Sequence, residues 1–145
     1  MNEKHSGDIR RINRLSNELE SLYHQASLKL RIADSVSIVM YALHEAGNER
    51  LLSDIYKESG ISKQTINSAI RSLEADGILY LEQHNGRAKK VVLTEKGKTY
   101  AMQTAARLYQ AEMDAFESWT DDEVNTYIRL MEKYNECFRR QIEKL

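Results

Sequence analysis

The sequence predicts a mainly α-helical fold carrying one small β-hairpin. Three observations point there. The chain has no proline and only six glycines in 145 residues, whereas a fold of many short strands needs that punctuation. Apolar residues recur at steps of three and four over most of the length, the period of an amphipathic helix. The helical period lapses clearly around Asn85-Gly86, where two short strand-like runs flank the dipeptide, and Asn-Gly in that setting is the strongest short hairpin signal.

Composition sets the class. The length suits one domain, or a compact domain with an elongated extension. Hydrophobic residues at 41% and charged residues at 30% exclude both a disordered chain and a membrane protein. No apolar run reaches the roughly 18 residues of a spanning helix, and residues 1–11 lack the apolar centre of a signal peptide. Cys137 is the sole cysteine, which excludes an internal disulfide framework and a multi-cysteine zinc site. These features point to the cytoplasm and to no membrane partner. The net charge of −1 means that any nucleic-acid binding must come from a local patch.

The elements follow in order. A first helix is expected over residues 8–32, with Ile9, Ile12, Leu15, Leu19, Leu22, Tyr23, Ala26 and Leu30 on one face. A second is expected over residues 35–46, capped by Asp34 or Ser35 and ended by Gly47. Leu51-Leu52 reads as a very short extended segment. Ser53 is a good N-cap for a third helix over residues 54–59, and Ser62 for a fourth over residues 63–76. The tight turn Ser59-Gly60-Ile61-Ser62 between them has the spacing of a helix-turn-helix. A two-residue type I′ turn at Asn85-Gly86 pairs His84 with Arg87, Glu82 with Lys89 and Tyr80 with Val91. Thr94 caps a fifth helix expected over residues 95–118, in which Gly97 is a mild blemish. Thr120-Asp121-Asp122-Glu123 is a capping box. It opens a last helix whose stripe runs Val124, Tyr127, Ile128, Met131, Tyr134, Phe138, Ile142 and Leu145.

Residues 35–94 thus read as a winged helix-turn-helix domain. Residues 8–32 and 95–145 read as long flanking helices whose apolar seams need a partner surface, which is the pattern of a homodimer. In a winged helix the second helix of the motif can enter a major groove, and the hairpin can reach phosphates or the adjacent minor groove. The fourth helix puts Ile66, Ala69, Ile70 and Leu73 on its core face and Lys63, Gln64, Asn67, Ser68 and Arg71 opposite. Gln and Asn can bond bidentately to adenine, and Lys and Arg to guanine or phosphate. Ser62 and Thr65 supply hydroxyls near the helix start, where free N–H groups favour phosphate. Across residues 61–90 five cations (Lys63, Arg71, Arg87, Lys89, Lys90) stand against three anions (Glu74, Asp76, Glu82), a local charge of +2. Two bland readings compete. The polar face is an ordinary solvated helix surface, or Arg71 pairs with Glu74 along its own helix. Lys89 and Lys90 alternate in direction along a strand, so one of them at most faces DNA from it.

Three stretches carry a family resemblance. Gly60-Ile61-Ser62-Lys63-Gln64-Thr65-Ile66-Asn67, then Leu73-Glu74-Ala75-Asp76-Gly77-Ile78-Leu79, then Arg87-Ala88-Lys89-Lys90-Val91-Val92-Leu93-Thr94-Glu95-Lys96-Gly97 resemble the multiple-antibiotic-resistance regulator (MarR) family. The order of the surrounding elements matches as well. The resemblance implies a winged helix held between terminal helices that build an obligate dimer. It also implies repression or activation of transcription at a palindromic DNA operator, often until a small ligand or oxidant intervenes, and a ligand-modulated repressor is the expectation here. The wing departs from the family pattern of Asp-x-Arg followed by a small residue. Asn85-Gly86-Arg87-Ala88 keeps Arg87 and Ala88, but Asn85 replaces the acid that orients the arginine, and the wing is a few residues shorter.

The DNA-binding set is therefore Ser62, Lys63, Gln64, Thr65, Asn67, Ser68, Arg71, Arg87 and Lys89. The resemblance also implies a junction that takes small aromatic acids, for which Tyr23, Tyr41, His44 and Tyr100 are the candidates, with core packing as the plain alternative. Cys137 lies beside an apolar stripe and reads as structural or inert. His24, His44 and Glu45 lack the company a metal site needs, and no cofactor is expected. No nucleophile motif, phosphate loop or supported acid pair suggests an enzyme. A protein-binding winged helix, used as an adaptor without specific DNA binding, is the competing class.

Overall fold

The computed structural model of the chain describes residues 3–145. It contains, in order, α1 (Ser6–Leu30), α2 (Asp34–Glu45), β1 (Glu49–Leu51), α3 (Leu52–Ser59), α4 (Lys63–Ala75), β2 (Leu79–Gln83), β3 (Lys89–Leu93), α5 (Glu95–Gln103), α6 (Ala105–Ala115) and α7 (Asp121–Ile142). The fold is mainly helical with a small antiparallel sheet, as the sequence predicts. The chain divides into two compact units, residues 1–109 and 110–145.

The first unit is built on one apolar core. Val39, Met40 and Leu43 of α2, Ile55 of α3, and Ile66, Ala69, Ile70 and Leu73 of α4 meet Leu79 of β2, Val91 and Leu93 of β3, and Ala101 of α5. The stripe expected on the fourth helix is buried as a set, which fixes which face of α4 looks outward. Ala46, the last residue of the expected second helix, is exposed beyond the observed helix end. α1 presents the opposite case. Of its residues only Ser27 is buried, and Ile9, Ile12, Leu15, Leu19 and Leu22 are each about half exposed or more.

The helix boundaries follow local chemistry. Ser62 caps α4 as expected, its hydroxyl accepting from the Thr65 amide at 3.2 Å. Gly60 at φ 70° makes the turn between α3 and α4. α2 and α3 correct the sequence reading. Ala33 is the N-cap of α2 and Leu51 that of α3, neither with a side-chain cap. Asp34 instead bonds His24 at 2.8 Å, tying α2 to α1. The strand β1 runs straight into α3, so Leu51 is positioned by its ladder partner Lys90 and Ser53 falls inside the helix.

The expected fifth helix is two helices. Thr104 leaves the helical region at φ −125°, ψ −85°, and its hydroxyl donates to the Tyr100 carbonyl at 2.7 Å. A threonine bonding back one turn competes with the backbone ladder and bends a helix. Gly97, in the first turn of α5, is buried against the Ile78 carbonyl, so the apparent blemish is a packing requirement.

The hairpin register is also corrected. Leu79 opposes Leu93, Leu81 opposes Val91, Glu82 opposes Lys90, and Gln83 opposes Lys89. A two-residue turn would have set Tyr80 opposite Val91. Tyr80 is exposed and Val91 fully buried, and residues directly opposite share a face, so that register would have driven the wrong face into the core. The chain uses a wider loop instead. The His84 amide donates to the Ala88 carbonyl at 2.9 Å, and the Ala88 amide to the Asn85 carbonyl at 2.9 Å. Gly86 takes φ 59° while Asn85 keeps a negative φ, so the turn is not type I′. β1 adds to the free edge of β3, giving the order β1-β3-β2.

In the second unit the capping box forms as expected. The Thr120 hydroxyl accepts from the Glu123 amide at 3.1 Å, and the Glu123 carboxylate accepts from the Thr120 amide at 3.0 Å. α7 has no buried residue. Tyr127, Ile128, Met131, Tyr134, Phe138 and Ile142 all stay open, and the helix stops short of Leu145.

Candidate nucleic-acid interface

The outward face of α4 collects the residues that the sequence nominates. Ser62, Lys63, Gln64, Thr65, Ser68 and Arg71 are exposed, and Asn67 is half-buried. The Ser62 and Thr65 hydroxyls lie 2.8 Å apart, at the positive end of the helix dipole, where anions are favoured. Arg71 does not pair with Glu74. Its guanidinium donates instead to the Ser68 hydroxyl at 3.4 Å, a weak bond that leaves the cation largely open.

Tyr56 was missed. It stands half-buried on α3, and its hydroxyl donates to Asn67 Oδ1 across the helix-turn-helix. The Lys63 ammonium lies 5.3 Å from the centre of the same ring, within cation–π range. One tyrosine thus touches two of the nominated DNA-binding residues. The periodicity of α3 places Tyr56 beside Ile55 but says nothing of a partner 11 residues away; only the packing of α3 on α4 does.

The wing sorts its two lysines. Lys90 sits between two carboxylates, 3.3 Å from Glu49 and 3.5 Å from Glu82, so its charge is spent within the sheet. The hydrogen bond to Glu49, reinforced by the charges of Glu49 and Glu82, raises its pKa. The expected Glu82–Lys89 pair is therefore replaced by Glu82–Lys90. Lys89 opposes neutral Gln83 and remains exposed near the tip, as does Arg87. Among the described residues no ion pair includes Arg87. The Gln83 side-chain amide donates to the Gly86 carbonyl, so the tip is held by a backbone contact where the family pattern has an acid.

The four candidate ligand residues are brought together only in part. Tyr41 and Tyr100 are half-buried against the core, and burial raises the Tyr100 pKa, with Asp76 adding to the effect. The Tyr41 and His44 rings each lie 6.1 Å from Tyr109, tilted in the first case and edge-on in the second. Tyr109 is thus the aromatic centre of the group, hidden from sequence reasoning by the helix break at Thr104. Tyr23 is exposed on α1. A groove of about 400 Å³ lies elsewhere, lined by Asn48, Tyr80, Val92, Thr94 and Lys98 among others, and includes none of the four. Among the described residues no cluster of three or more His, Cys, Asp and Glu could hold a metal, and Cys137 is exposed rather than packed.

Residues 32–89, which hold the helix-turn-helix and most of the wing, match the model of the MarR family. The matched segment is similar to a MarR-family winged helix. Among curated proteins none matches the chain. Solved structures share the fold. A MarR family regulator from Neisseria meningitidis is 20% identical, with 99% of each chain covered and a TM-score of 0.80. A putative MarR family transcriptional regulator from Listeria monocytogenes, complexed with 26mer DNA, is 21% identical over 92% of this chain and 89% of that one, at a TM-score of 0.69. BpsR of Bordetella bronchiseptica, whose DNA binding is regulated by 6-hydroxynicotinic acid, is 18% identical over 86% and 98%, at a TM-score of 0.65. No helix among the described residues is long and apolar enough to cross a membrane.

Proposed function

We propose that the chain is a homodimeric, sequence-specific DNA-binding transcriptional regulator of the cytoplasm that represses its targets and is modulated by a small aromatic ligand. The observation that carries the reading is the division of α4. One face builds the core, and the other offers Lys63, Gln64, Ser68 and Arg71 in the open, with Ser62 and Thr65 at the helix start. In this proposal residues 35–94 bind DNA and residues 8–32 and 95–145 make the dimer. Gln64 reads base edges, while Ser62, Thr65, Arg71, Arg87 and Lys89 contact phosphates or the minor groove.

Two observations support dimerisation. The apolar seam of α1 and that of α7 each remain open in the single chain, and apolar stripes of that length rarely face water in a monomer. A two-fold dimer sets two copies of α4 on one face of a duplex, so the operator is a pseudo-palindrome with half-site centres about 10 bp apart. The Listeria relative, complexed with DNA, supports the partner class. Ligand modulation is supported by BpsR and by the aromatic group of Tyr41, His44 and Tyr109.

The test is a mobility-shift assay against the DNA upstream of the chain's own gene. Retardation that survives excess unrelated duplex and disappears in Gln64→Ala is the expected result. Equal retardation of every duplex, or none, contradicts the proposal and favours an adaptor.

A further inference from the structure

Asn67 and Gln64 look equivalent in the sequence, since both are amides on the outward side of α4. The structure separates them. Gln64 is exposed, whereas Asn67 is half-buried and its Oδ1 accepts the Tyr56 hydroxyl. We propose that Tyr56 is a specificity-determining positioning residue, which fixes the Asn67 amide with its carbonyl toward α3 and its NH₂ toward the groove. The inference rests on the DNA-binding reading above.

The consequence is chemical. An asparagine reads adenine by offering both ends of its amide, the oxygen to N6–H and the nitrogen to N7. With the oxygen directed to Tyr56 and one of its two lone pairs engaged, the end of Asn67 left to face the groove is its NH₂ donor. Donors suit the acceptors that guanine (O6 and N7) and thymine (O4) display in the major groove. Adenine then loses its two-point advantage. The tether also removes rotamer freedom before binding, so less is lost when the contact forms. Lys63 shares the arrangement through the ring, not the hydroxyl, of Tyr56. Hydroxyl and ring can therefore be tested apart.

The experiment is a selection of bound duplexes from a random-sequence library, run in parallel with wild type, Tyr56→Phe and Asn67→Ala, with thermal midpoints measured on each. Tyr56→Phe keeps the ring under Lys63 and releases the amide. The wild type is expected to disfavour adenine at one symmetry-related pair of positions. Tyr56→Phe is expected to move the preference there toward adenine by about five- to tenfold, the scale of one bidentate contact, and Asn67→Ala to remove the preference. A Tyr56→Phe protein that enriches the wild-type sequence unchanged overturns this inference alone. So does one that binds all duplexes more weakly with a lowered midpoint, because that is a structural role. A wild type that enriches nothing overturns the regulatory reading and this inference with it.

Discussion

Replacing Gly97 by alanine should destabilise the first unit severely, against the usual direction for a helical glycine. Gly97 lies in the first turn of α5 and donates its amide to the Thr94 hydroxyl at 3.0 Å. A Cβ there would fall inside van der Waals contact of the Ile78 carbonyl oxygen, 3.0 Å from the Ile78 carbonyl carbon and 3.2 Å from Leu93 Cδ2. The obstacle is backbone, which cannot rotate away. The same carbonyl accepts the Thr94 amide at 3.0 Å and the Thr94 hydroxyl at 3.1 Å, so moving it strains the joint between β2 and α5. Overpacking costs about 3 kcal/mol at the upper end of its usual range. A weakened hydrogen bond adds about 1 kcal/mol, and the helix propensity of alanine returns about 1 kcal/mol. The net loss of about 3 kcal/mol lowers Tm by about 10 °C for a chain of this size. The assay is thermal unfolding followed by circular dichroism at one fixed protein concentration, since dimer formation makes Tm concentration-dependent. Gly7→Ala is the control. Gly7 is also helical, but nothing lies within 4 Å of its added Cβ, so its Tm should hold or rise slightly. A Gly97→Ala protein as stable as Gly7→Ala would refute the close approach of α5 to Ile78.

Other outcomes follow from the same structure. Ile128→Glu with Met131→Glu, both on the open face of α7, should turn a two-chain mass by light scattering into a one-chain mass or unfold the protein; a wild-type mass of one chain at micromolar concentration would contradict the dimer. Arg87→Ala should weaken specific and nonspecific DNA alike and lower the log–log salt slope by about 0.9 per lost phosphate contact, or twice that for a dimer; an unchanged slope would show that the wing stays off DNA. The hydrogen bond from His24, helped by Ser27, lowers the Asp34 pKa. Its contribution to stability is therefore present above the unfolded carboxylate pKa and lost as pH falls through the folded value. Because the pair is exposed, Asp34→Asn should cost less than about 1 kcal/mol near neutral pH and should flatten the acid limb of a stability–pH curve. Lys90 has the opposite sign. With its pKa raised by Glu49 and Glu82, its contribution is present below the unfolded lysine pKa and lost as pH rises through the folded value, so Lys90→Met should blunt the alkaline loss of stability.

Features set by neighbouring residues were legible in the chain. The Ser62 cap and the Thr120–Glu123 box each close within one helical turn, and both form where the residues place them. The core stripe of α4 follows from its period. Features set by distant packing were not. Asn85-Gly86 suggests a two-residue turn, but the core needs Leu79 and Leu81 on the same side as Val91 and Leu93, which fixes the pairing parity against that turn. The alternation of the strands and the Asn-Gly turn signal imply registers of opposite parity, and burial decides for the alternation. Likewise Thr104 lies on an unbroken apolar stripe, so its back-bond to Tyr100 is invisible in the pattern. The site follows the same rule. Which residues of α4 face outward was readable, whereas the hold of Tyr56 on Asn67 and of two glutamates on Lys90 needed the tertiary fold.

The most direct measurement of the central claim is the sequence that the wild-type protein selects from random duplex DNA, with the stoichiometry of the selected complex. A homodimeric regulator should select a pseudo-palindrome with half-site centres about 10 bp apart, bind it as two chains per duplex, and lose preference at particular base pairs in Gln64→Ala. Enrichment of no sequence, or of one that Gln64→Ala selects equally well, would contradict the claim.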